Sequence, residues 1–110
     1  MEPAEIAKLA ATLDLLWQRF LPQMLERIAL LETAATGCRN ATLTEAQIRA
    51  AHNAAHNLAG SLGTFDLTRG SVLARELELM YSVGDGPAPE LAPQLTSLAA
   101  ELQSIVESRK

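Results

Sequence analysis

From Ile6 to Ala35 the apolar residues recur in steps of three and four: Ile6, Leu9, Leu13, Leu16/Trp17, Phe20, Met24, Ile28, Leu31, Ala35. Such steps return to one face of a 3.6-residue helix each turn, whereas a strand would scatter them over both faces. The spacing therefore predicts one long amphipathic helix over residues 3–36. Pro22 falls inside it and removes one backbone hydrogen bond, against the carbonyl of Gln18. Because the stripe keeps its phase from Phe20 through Met24 to Ile28, a Pro-kinked helix is predicted rather than two helices. Gly37 supplies the C-terminal turn, and "GCRNAT" (37–42) reads as a loop.

Three shorter stripes follow. Thr44 is a plausible N-cap with Glu45 and Gln47 in the first turn, and Ile48, Ala51, Ala55, Leu58 and Leu62 form the apolar face of a second helix. It fades near Gly63–Thr64, where "TFDLT" makes a turn. Thr68 is the expected cap of a third helix carrying Leu73, Leu77 and Met80, which ends at the turn-rich "SVGDGPAP" (82–89). Leu91, Leu95, Leu98, Leu102 and Ile105 mark a last helix over roughly 90–108. Four stripes joined by short loops predict an all-α fold, an antiparallel four-helix bundle with a long, Pro-kinked first helix. The 110 residues suffice for one domain, 1–110, with one modest core. With one Trp, one Tyr and two Phe, that core must be built from Leu and Ala.

The net charge of −4 argues against nucleic acid, whose phosphates need a basic face. No stretch approaches the ~20 apolar residues of a membrane span, and no basic n-region precedes an apolar run at the N-terminus. The single Cys38 excludes an internal disulfide and fits a reducing, cytoplasmic setting. Cys38 reads as a loop thiol, and Arg75, Glu76 and Glu78 as a solvated helix face.

Both histidines lie in "AAHNAAHNLAGSLGTFDL" (50–67). On a wheel of the second helix with Ile48 at zero, Ala51, Ala55, Leu58, Ala59 and Leu62 cluster near that direction. His56 falls at about 80° and Gly60 at about 120°. His56 thus occupies the shoulder of the helix, and the residues one turn on, Ala59, Gly60 and Gly63, carry almost no side chain. A neutral imidazole can attack phosphorus without a neighbouring base, and small neighbours let an electrophile held on another protein reach it. His52 and His56, four apart, also have the spacing of a metal-ligating pair. A third ligand is needed, and Cys38 and Glu45 stand in no recognisable spacing to them.

"AHNLAGSLGTFDL" followed by "LARELE" (73–78) resembles the histidine-containing phosphotransfer domains of bacterial phosphorelays. Their signature is a surface histidine followed by x-Leu-Lys/Ala-Gly-Ser on the second main helix of a bundle. His56, Leu58, Gly60 and Ser61 match it, and the flanking helices are compatible over the whole chain. The resemblance implies that His56 accepts a phosphoryl group from a receiver-domain phospho-aspartate and passes it to another receiver. His52, Ala59, Gly60 and Gly63 would form the docking surface around it. Response-regulator receiver domains and a (hybrid) histidine kinase are the implied partners. The chain would be a carrier without autonomous kinase activity. It would bind no cofactor, the Mg²⁺ of the transfer belonging to the receiver. Many such domains carry Lys where this chain has Ala59, so the positive charge near the phosphoryl group would come from the partner, from Arg49 or from solvent. A helical adaptor that docks the same partners without being phosphorylated is the alternative.

Overall fold

The computed structural model describes residues 2–82 and 84–109. Four α-helices account for most of them: α1 (Pro3–Arg39), α2 (Glu45–Thr64), α3 (Thr68–Met80) and α4 (Ala92–Ser108), with a 3-10 turn at Pro89–Leu91. No strand occurs among the described residues. α2 packs on α1 and α3, and α4 packs on α1 and α3, closing a four-helix ring. The connections at 40–44 and 65–67 are too short for anything but antiparallel neighbours. The all-α bundle expected from the stripes is the fold.

α1 runs unbroken through Pro22, whose ring faces solvent. It continues to Arg39, past the expected stop, so Gly37 and Cys38 belong to its last turn. Cys38 is no loop thiol. It is buried, its Sγ lies within hydrogen-bonding distance of the carbonyls of Pro87 and Ala88, and burial pushes its pKa up. α2 starts with a full capping box, the Thr44 hydroxyl accepting from the Gln47 amide and the Gln47 side chain accepting from the Thr44 amide. α3 starts differently from the expectation. Asp66 takes a left-handed φ of 58° and the Leu67 amide donates to the Leu62 carbonyl, which ends α2 and turns the chain; Leu67 is the N-cap, and Thr68 makes no capping bond.

The core follows the stripes in Met24, Ile28 and Leu31 of α1, Leu58 and Leu62 of α2, Leu73 and Leu77 of α3, and Leu95 and Leu102 of α4. The α4 stripe departs from the expectation at its ends. Val106 is buried in place of the expected Ile105, which is only partly buried, and Leu91, ahead of the helix in the 3-10 turn, is 38% exposed. At one end Trp17 and Phe65 meet edge to face at 5.1 Å, and Arg109 lies over both rings while its guanidinium pairs with Asp14 at 3.2 Å. The stripe of α1 departs from the core in its first turns. Ile6 is 53% and Leu9 51% exposed. The reason is length: α1 has 37 residues and its partners 20, 13 and 17, at about 1.5 Å per residue, so the start of α1 projects past the bundle.

Candidate functional site

α2 buries Ala51, Ala54, Ala55, Leu58, Ala59 and Leu62. The opposite flank of the same helix carries His56, whose side chain is 68% exposed, with Gly60 and Gly63 also at the surface. Leu58 and Leu62 are fully buried and fix the rotation of the helix, so the histidine's outward direction is a consequence of core packing. Side chains on a helix lean back over the preceding turn. A side chain at position 60 would therefore extend towards the ring at 56; a Cβ built there meets no atom within 4 Å, so glycine leaves open space on that side of the histidine. His56, Asn57, Gly60, Ser61, Thr64 and Phe65 face Leu16 and Phe20 of α1 across an open groove of about 520 Å³.

One expected member of the surface is elsewhere. Ala59 is only 4% exposed, as its wheel position beside Leu58 and Leu62 requires. Its carbonyl accepts a 2.8 Å hydrogen bond from the Ser71 hydroxyl of α3. It belongs to the α2–α3 seam and not to a docking face. His52 is partly exposed and lies in a separate groove with Arg49, Tyr81 and Ser82. Arg49 does not line the groove of His56.

The chemistry of His56 depends on a residue that the sequence left on a solvated face. Glu78 of α3 places Oε2 2.9 Å from His56 Nδ1 and 3.8 Å from His52 Nε2, with its side chain 23% exposed. An ionised carboxylate only accepts, so in the neutral imidazole Nδ1 carries the proton and donates it to Glu78. Nε2 then holds the free lone pair. The ring is oriented and its tautomer set by one contact between two helices. Glu78 sits four residues after buried Ala74 and one after buried Leu77, on the flank of the α3 stripe. That flank position was a visible signal; the facing of α3 against α2 was not.

Core packing of the helical bundle thus leaves one exposed imidazole, held by a carboxylate, beside backbone cleared of side chains. The family model of the Hpt domain matches residues 15–108, and the chain belongs to that family. Hpt domains serve histidine phosphotransfer in phosphorelays; as a family they are carriers rather than kinases and interact with receiver domains and histidine kinases. Protein RcaC of Microchaete diplosiphon is 33% identical over 97 residues, 88% of this chain and 15% of that protein. The chain thus spans about 15% of the length of this curated relative. No solved structure matches at a significant level. Among the described residues no helix is long and apolar enough to cross a membrane.

Proposed function

We propose that His56 is the phosphoryl acceptor and donor of this domain, taking the group from a receiver-domain phospho-aspartate and returning it to another receiver. The observation that carries the reading is the Nδ1 contact to Glu78 beneath an exposed ring. Nε2 attacks phosphorus, the N–P bond forms as the P–O bond to the aspartyl carboxylate breaks, and that carboxylate leaves with the electron pair. The ring gains positive charge as its lone pair is shared, and Glu78 balances it through the proton that Nδ1 retains. This is the role a buried carboxylate plays beside a catalytic imidazole elsewhere. Gly60 and Gly63 leave room for the receiver, His52 borders the contact, and the Mg²⁺ that neutralises the phosphoryl oxygens is held by the receiver. The site functions in a reducing cytoplasm.

The test is to incubate the chain with a phosphorylated receiver domain and follow the label. An acid-labile, alkali-stable phosphoryl group on His56 is expected, with phosphorus NMR assigning it to Nε2. His56→Gln should carry none while keeping the fold. Receiver binding without any label would replace this reading by the adaptor.

A further inference from the structure

The start of α1 repeats its apolar residues as a heptad, Ile6 and Leu9 on the projecting turns and Leu13, Leu16 and Phe20 where α1 meets the bundle. Leu13 and Leu16 are partly buried against its core, and the five occupy alternating core positions of a two-stranded coil. Ile6, Leu9 and Phe20 are 53%, 51% and 40% exposed, and nothing in the bundle covers the first two. We propose that this stretch pairs antiparallel with the same stretch of a second copy of the chain.

The choice of occupant comes from the register. In an antiparallel pair the two kinds of core position face each other. Aligning them sets Ile6 against Leu16 of the second copy and Leu9 against Leu13 of the second copy, each contact occurring twice by symmetry. The flanking positions on one side of this seam are Glu5, Thr12 and Arg19. The same alignment brings Glu5 to Arg19 of the second copy, and Arg19 to Glu5 of the second copy. Both residues are exposed, and neither makes an ion pair among the described residues. A parallel pair would set Glu5 opposite an alanine, Ala10, and leave both charges unmatched. Over the layers from Ile6 to Leu16 the charges flanking the stripe are thus matched in one orientation only. Four apolar side chains per copy meet in this register, Phe20 falling opposite Glu2 of the second copy. The contact is smaller than the ~800 Å² per partner of a standard interface, so the pairing is reversible and set by concentration.

A consequence reaches the site. Leu16 and Phe20 form the α1 wall of the groove beside His56, so the second copy's Ile6 would enter that groove and hinder a docking receiver. This consequence rests on the phosphotransfer reading; the pairing itself does not.

Sedimentation velocity from about 1 μM to about 500 μM tests it. The weight-average mass should climb from monomer towards dimer. Glu5→Arg should raise the midpoint concentration about 10-fold, since two exposed pairs turn from attraction to repulsion, and adding Arg19→Glu should restore it. Monomer at every concentration, or a dimer indifferent to Glu5→Arg, overturns the proposal. Single-turnover labelling of His56 read alongside should slow as chain concentration rises, and should not slow in Glu5→Arg. Mass unchanged with normal labelling sinks the pairing alone; pairing without any labelling sinks the phosphotransfer reading alone.

Discussion

A methyl group built on Gly70 would lie 3.0 Å from Leu62 Cδ1 and 3.3 Å from Ile105 Cγ2, whereas one built on Gly60 would meet no atom within 4 Å. Gly70 stands where α3 crosses α2 and α4, and the chain's own packing requires it. Gly60 stands on the exposed side of α2, one turn before its end, where its fold gains nothing from glycine and gives up about 1 kcal/mol of helix propensity relative to alanine. Space reserved inside a molecule is explained by the molecule. Space reserved outside, beside a ring held at its Nδ1, is the space that the proposed docking of a receiver would use. The same contrast runs across α2 as a whole: one side is Leu58 and Leu62 in the core, the other an imidazole over bare backbone.

Two substitutions separate those sides most widely. His56→Gln should abolish phosphoryl transfer and leave the thermal unfolding midpoint nearly unchanged, since the side chain is 68% exposed and its hydrogen-bond partner is the partly exposed Glu78. Leu62→Ala should do the reverse, costing about 2–5 kcal/mol of stability for a fully buried leucine. Its effect on transfer should appear only as unfolded chain accumulates. Denaturation by urea and single-turnover labelling on both variants would show this. A labelling defect in Leu62→Ala at full occupancy of the folded state would mean the two sides are coupled.

Glu78→Gln acts on the functional side alone. The amide can still reach His56, but it accepts through oxygen or donates through nitrogen without a charge to balance the ring. Transfer should fall about 10-fold, the low end for a hydrogen bond to a charged group because the imidazole is solvent-exposed. The fraction of Nδ1-protonated tautomer, read by nitrogen NMR of the ring, should fall with it. An unchanged tautomer ratio would remove Glu78 from the mechanism and leave position alone to explain His56.

What the sequence disclosed and withheld divides along the same lines. Core residues such as Met24, Leu62 and Leu102 repeat every three or four positions, so burial is written in the spacing of a single helix. His56 was legible because its direction follows from that spacing and because the following residues are small. Glu78 was not, since it lies 22 positions away and its partnership depends on how α3 is turned against α2. Ala59 was read as surface from its place in the motif although its own wheel position pointed inward, and packing obeys the wheel. Ile6 and Leu9 have the periodicity of core residues, but periodicity reports a face and not whether another helix is long enough to cover it.

The two glycines give the smallest effects and the sharpest comparison, because one substitution should change sign between them. Gly60→Ala meets open space and gains helix propensity, so the chain should become more stable by about 0.5–1 kcal/mol. Its added methyl does not touch His56 but occupies part of the space a receiver would enter, so transfer from a receiver should slow a few-fold. Gly70→Ala sits in the first turn of α3, where propensity matters less, and requires the fully buried Leu62 and the neighbouring Ile105 to shift by a few tenths of an ångström. It should lose about 1 kcal/mol through overpacking and leave transfer by the folded chain intact. Urea titration with labelling on both would decide the matter. If Gly60→Ala gained stability with no loss of transfer, the cleared backbone would have no bearing on the approach of a partner, and the difference between the two glycines would reduce to packing.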